Sequence, residues 1–270
     1  MEGVTLGQFN IEFNHHSAQM KSYLLRVTAS IKDAEDLVHD TYIKASDKLN
    51  TFRGESSLKT WLFTIASNLA KDNLRAQKRW VENVTDIARE NALSDKDFFA
   101  TSMQIVATSP HSQLEAKEHI AFCFTCISKS LPLEQQLSIF LKEVYGFKVS
   151  EIATILDNTE AMVKYYLHNA RTKMINIFDG RCALINKEGV CHQCSELNGM
   201  YNPKQNTQEE LMKIDLAREA ENGDKEHLFD LRMKILQEID PFQSPAAALQ
   251  LHHLEYNRDL MEKYAENLPA

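Results

Sequence analysis

Three cysteines, Cys182, Cys191 and Cys194, fall within thirteen residues of one another. The Cys-x2-Cys pair at 191 and 194 lets two thiolates face one ion, and Cys182 supplies a third sulfur. Structural zinc takes four soft or borderline ligands. His192 lies inside the knuckle, and a fourth ligand is available from Cys123 or Cys126, spaced i, i+3 on a helix. Zinc bound there would contribute roughly 10–16 kcal/mol of apparent binding free energy to ordering a polar segment. The same sulfurs also fit buried or redox-active thiols. Disulfides are not expected, because the opening MEGVTLGQFNIEF has no basic stretch followed by an apolar one, which points to the cytoplasm.

The second chemical pattern is built for DNA. Val149–Leu156, the turn Asp157-Asn158-Thr159 and the run from Glu160 to Met174 have the spacing of a helix-turn-helix. Ala153 is small enough for the second helix to cross closely. Asp157 or Asn158 tolerates the left-handed backbone the turn needs. Thr159 is a suitable N-cap, and Val163, Leu167, Ala170 and Met174 form the inward stripe. The outward face then carries Glu160, Lys164, Tyr165, His168, Arg171 and Lys173. Residues near the start of such a helix reach base edges, and cations further along grip phosphates. Without context, the same pattern also fits the solvated face of an ordinary helical hairpin.

Other chemistries lack their residues. There is no Gly-rich phosphate loop, no nucleophile elbow and no His/acid pairing at zinc-hydrolase spacing, so an enzyme is not expected. His15-His16 and His252-His253 form no ligand pattern. No run approaches the roughly 18 apolar residues of a membrane span.

The elements that must position these groups are helices. Eight glycines and six prolines interrupt 270 residues, β-branched alternation is scarce and apolar residues recur at helical spacing, so the fold class is all-α. Residues 1–80 form a first helical unit, with a helix starting near Asp33 and another capped by Ser56 or Ser57 that ends at Arg75, Lys78 and Arg79. Residues 81–113, with five acids and two bases, have the composition of a flexible linker, with a short helix around 98–106. The helix-turn-helix unit spans 114–181, the Cys-containing segment 182–205, and an acidic helical extension 206–270. That extension holds 7 bases against 14 acids and accounts for −7 of the net −8. DNA would repel it, so its apolar stripes (Leu211, Ile214, Leu216; Leu228, Leu231, Ile235, Ile239; Leu249, Leu251, Leu254, Leu260) call for a protein surface, its own or another's.

Two blocks carry a resemblance. Ala34-Glu35-Asp36-Leu37-Val38-His39-Asp40-Thr41-Tyr42 and Trp61-Leu62-Phe63-Thr64-Ile65-Ala66-Ser67-Asn68 through Arg75 resemble region 2 of bacterial RNA polymerase sigma factors. Leu131-Pro132-Leu133-Glu134-Gln135-Gln136 and the helix-turn-helix resemble region 4. Their order and separation are those of the extracytoplasmic-function (ECF) group of the sigma-70 family. The resemblance implies a subunit that brings core RNA polymerase to chosen promoter DNA. Glu35, Asp36 and Asp40 would face the polymerase clamp. The loop from Asn50 to Glu55 with Phe52 and Arg53, together with Lys59, Lys71, Arg75, Lys78 and Arg79, would hold the melted minus-ten strand by stacking and phosphate contact. Trp61, on the apolar stripe, fits the core better than base stacking, which stays open. Region 4 would read the minus-35 duplex, and an anti-sigma factor is a further expected partner. His39 replaces the usual Gln, and Glu160-Ala161-Met162 stands where small residues are common, which leaves the promoter sequence open. The competing reading is a helix-turn-helix regulator acting without polymerase, which would have no use for the block at 33–75.

Overall fold

A computed structural model describes residues 4–75, 77–108, 116–182, 215–219 and 223–266, and its described elements are all helical. The chain forms two compact units that are not consecutive stretches. One comprises Met1–Lys78 with Pro132–Ala170, the other Arg79–Leu131 with Arg171–Ala270.

In the first unit, α1 (Leu6–Thr28), α2 (Ile31–Asp47) and α3 (Leu58–Leu74) pack pairwise. Each start is fixed locally. Thr5 accepts from the Gln8 amide while the Gln8 side chain accepts from the Thr5 amide, satisfying two orphan donors reciprocally. Ser57 caps α3 through the Thr60 amide, as expected. The start of α2 differs from the sequence expectation. Ser30 is the N-cap, accepting from the amide of Asp33, which lies inside the helix. Ala29 adopts a left-handed conformation (φ 60°) that ends α1 and frees Ser30 to cap. Phe9, Met20, Leu24, Leu62 and Phe63 are wholly buried in the core.

The rest of this unit is α7 (Leu133–Ile139), a π-helical stretch Phe140–Val144, α8 (Val149–Leu156) and the first part of α9 (Glu160–Arg181). Asp157 is left-handed (φ 52°) at the end of α8, and the Thr159 hydroxyl accepts from the Met162 amide at the head of α9. The expected helix-turn-helix is therefore present, with Ala153, Val163 and Ala170 buried. Leu167, placed on the same stripe, is only half-buried.

The second unit contains α4 (Val84–Ser94), α5 (Lys96–Thr108), α6 (Ala116–Ser128), the remainder of α9, the short α10 (Asp215–Glu219), α11 (Lys225–Glu238) and α12 (Ala247–Glu266). The segment whose composition suggests a linker thus holds two helices. Both α11 and α12 pack on α6. Phe124 stacks on Phe178 at 5.8 Å, and Phe229 closes on Phe124 at 6.2 Å. Asp224 caps α11, and Glu118, itself buried, accepts from the Ala246 amide at the entry to α12. Leu228, Leu231, Ile235, Leu249 and Leu254 are therefore buried within the second unit, where α11 packs on α6 and α12 on α4, α5 and α6, while Ile239, Leu251 and Leu260 are half-buried; Leu211 and Ile214 lie outside the described residues.

Candidate nucleic-acid interface

The outward face of α9 forms as its spacing requires. Glu160, Lys164, Tyr165 and His168 are exposed, Tyr165 to 56%. The two cations further along are not open. Arg171 Nε donates to Glu226 Oε2 at 2.6 Å, and Arg171 Nη2 reaches the Asp230 carboxylate; its guanidinium lies 4.5 Å from the Phe229 ring centre. Burial works against the charge, but the two carboxylates outweigh it and hold this guanidinium above its ordinary pKa. Lys173 pairs with Glu82 at 2.8 Å.

In the first unit the acidic face of α2 is in place. Glu35, Asp36 and Asp40 are exposed, with Glu35 paired to Lys21 at 2.8 Å. Leu37, Thr41 and Ala45 face inward on the same helix, so the acids are outward by default. Asn50 and Arg53 are exposed on the loop before α3. Phe52 and Trp61 are both half-buried, their rings 5.2 Å apart. Trp61 is thus not the core residue its stripe suggests: Leu62, Phe63 and Ala66 fill the interior instead, leaving an aromatic pair at the surface.

Two expected DNA contacts, Lys59 and Lys71, lie against the helix-turn-helix. Lys71 Nζ donates to the carbonyl of Leu156 at 3.0 Å, and Lys59 Nζ sits 4.6 Å from the centre of the Phe147 ring. Burial lowers the pKa of both amines. Thr60 donates to Glu151 of α8, Gln136 to the carbonyls of Arg26 and Val27, and the Ser22 and Tyr145 hydroxyls lie 3.1 Å apart. Tyr23, Phe63, Tyr145 and Phe147 form a buried aromatic cluster across this contact. Arg75 is exposed and paired with Asp72, and Lys78 is exposed. In the second unit Arg79 Nε donates to the Leu131 carbonyl at 2.7 Å.

Cys182 accepts from Arg232 at 3.1 Å, and Cys191, His192 and Cys194 lie outside the described residues. Among the described residues no three metal-ligating side chains converge. Cys126 is buried, accepts from Asn257 at 3.5 Å and has its pKa pushed up to about 12 by burial, which disfavours the thiolate a metal needs. No described helix is long and apolar enough to cross a membrane.

Residues 13–80 match the Sigma-70 region 2 family, and residues 121–174 match the Sigma-70, region 4 family. The "ECF RNA polymerase sigma-E factor" of Haemophilus influenzae is 32% identical over 168 residues, 62% of this chain and 86% of that protein. Its counterpart from Escherichia coli K12 is 30% identical over 168 residues, 62% of this chain and 85% of that protein. A co-crystal structure of the sigma factor RpoE with the anti-sigma factor NepR from Bartonella quintana aligns over 64% of this chain and 98% of the matched chain, at 21% identity and a TM-score of 0.43.

Proposed function

The chain belongs to the extracytoplasmic-function sigma factors of the sigma-70 family, and from that membership we propose how its parts divide the work. As an ECF sigma factor it directs core RNA polymerase to specific promoters. It does so by binding, with no chemistry of its own, and in the cytoplasm where polymerase operates. Glu35, Asp36 and Asp40 on the outward face of α2 dock on the polymerase clamp. Phe52 and Trp61 stack on unpaired bases of the minus-ten strand, with Asn50 and Arg53 beside them and Lys59, Lys71, Arg75, Lys78 and Arg79 along its backbone. Glu160, Lys164, Tyr165 and His168 read the minus-35 duplex, with Arg171 and Lys173 on its phosphates. An anti-sigma protein is a further partner.

One observation carries the reading: an exposed acidic helix face and an exposed recognition-helix face stand in one chain, each on the element its block of sequence requires. The contacts of half-buried Lys59 with Phe147 and Lys71 with Leu156 add a condition, because both amines must leave them before they can grip DNA fully. We therefore place an opening step before promoter capture.

In-vitro transcription with core polymerase on a library of genomic promoters tests the whole. Full-length protein should select a defined promoter set. Lys164→Ala and Tyr165→Ala should change the sequence preferred, by about 1–3 kcal/mol per lost base contact. Unchanged profiles for both would remove the assignment of α9.

For the Cys-containing segment we propose zinc on Cys182, Cys191 and Cys194, supported by their spacing. Elemental analysis should find near-stoichiometric zinc, lost when Cys191 and Cys194 become Ser; metal-free protein would refute it.

A further inference from the structure

Every base in the second half of α9 is neutralised from outside the helix-turn-helix. Arg171 meets Glu226 and Asp230 of α11, Lys173 meets Glu82, and Arg181 meets Asp86 of α4. Arg171 is held most completely. Its Nε and Nη2 address two carboxylates, its Nη2 also approaches the Glu226 carbonyl oxygen at 3.4 Å, and its guanidinium lies over Phe229.

Glu226 and Asp230 are four residues apart on one helix, where like charges repel. Arg171 between them relieves that repulsion. The helix presenting them is anchored: Phe229 and Leu236 are buried, and Arg232 is 1% exposed with its guanidinium 3.7 Å from the Phe178 ring centre. Lys225 pairs with Asp179 on α9 at 2.7 Å. The acids themselves are more than half exposed, so the pairs are weak enough to exchange for another anion. A guanidinium fork that donates to two carboxylate oxygens will equally donate to two phosphate oxygens.

We propose that α11 is a built-in stand-in for the DNA backbone, its Glu226 and Asp230 occupying on Arg171 the place of a phosphate group. The proposal rests on the assignment of α9 as the promoter-reading helix. It has a directional consequence. Phosphate neutralisation supplies sequence-independent affinity, whereas base edges supply selectivity. The extension covers the phosphate grip, while Lys164, Tyr165 and His168 stay exposed. Its effect is therefore to suppress non-specific DNA binding more than promoter binding.

The test is duplex binding by the full-length chain, followed by fluorescence anisotropy on promoter and scrambled DNA between about 50 and 200 mM salt. Glu226→Gln/Asp230→Asn should bind scrambled duplex at least about threefold more tightly, roughly what one or two half-exposed ion pairs contribute. Its plot of log affinity against log salt should be steeper, by up to about 0.9 for each further phosphate neutralised. Adding Arg171→Ala should abolish the tighter binding, and Glu82→Gln, which frees Lys173, should shift binding the same way without touching α11. Wild-type affinity and slope in both acid-neutralised variants would overturn the proposal, as would tighter binding that survives Arg171→Ala. Promoter-directed transcription by the same wild-type protein with core polymerase tests the underlying reading separately, because the anisotropy comparison needs no polymerase.

Discussion

Removing the Tyr145 hydroxyl should loosen the helix-turn-helix from α1 by a calculable amount. Tyr145 and Ser22 are both buried, and their hydroxyls form a hydrogen bond of 3.1 Å. Tyr145→Phe keeps the ring, and with it the edge contact to Tyr23 at 5.5 Å, so the change is confined to one O–H group. A buried neutral hydrogen bond contributes about 0.5–1.5 kcal/mol net. The orphaned Ser22 hydroxyl can turn to a carbonyl one helical turn back, which keeps the additional penalty small. Tyr145→Phe and Ser22→Ala should therefore each cost about 1 kcal/mol, and the double variant about the same rather than twice as much, a coupling of about 0.5–1.5 kcal/mol. The chain offers a convenient probe, since its two tryptophans fall in different units: Trp61 in the first and Trp80 in the second. Urea unfolding followed by Trp61 fluorescence, with Trp80→Phe as common background, reports the first unit alone. Additivity within about 0.3 kcal/mol would mean that the two hydroxyls do not meet in solution. The closed arrangement of α3 and α8, and the opening step built on it, would then lose their support.

Acid should weaken the second unit through His253, which burial chiefly, aided by neighbouring His119 and His252, holds at about 3 against an ordinary 6.5. The unfolded chain takes up a proton below pH 6.5 that the folded chain refuses until about 3. Stability should therefore be level above about 6.5 and fall below it, by about 2 kcal/mol at pH 5; thermal melts in which His253→Gln loses stability as steeply as wild type over this range would contradict this. At the turn of the helix-turn-helix, Asp157→Val should destabilise by at least about 1–2 kcal/mol, because a β-branched residue is strained at a φ of 52°. Asp157→Gly should be neutral or stabilising by up to about 1 kcal/mol, and the same Trp61 unfolding assay distinguishes the two.

What the sequence disclosed is what short-range chemistry decides. Ser57, Asp157 and Thr159 do their work within three or four residues of themselves, and each stands in its expected role. Ser30 is hidden by Asp33, an equally good capping residue three positions on; the choice goes to the residue beside the left-handed Ala29. The helix α4 leaves little trace, because its buried face is only Val84, Thr85 and Ala88 and is completed by α6 and α12. Trp61 shows a limit of stripe reasoning: one face of α3 can hold only so many large side chains, and Leu62 and Phe63 take the interior. The cations show another. Charge and position mark Lys59, Lys71, Arg79 and Arg171 as DNA contacts, but nothing local reveals that the chain supplies partners for them first. The acidity of the extension is plain from composition; that Glu226 and Asp230 in particular meet Arg171 depends on how α11 is rotated over Phe124, a long-range packing matter.

The π-helical stretch at Phe140–Val144 makes chain length itself a specification. There the Tyr145 amide bonds to the carbonyl of Phe140, five residues back, instead of four. Each residue of an α-helix advances the chain by about 100°, so the one extra residue in that turn sets everything after it about 100° out of phase with a continuous helix. Only in that phase does Tyr145 point at Ser22. Exchanging one apolar side chain for another of similar size in this stretch leaves the phase untouched. Deleting a single residue would let ordinary winding resume and carry Tyr145 away from Ser22, with every residue of α8 and α9 intact.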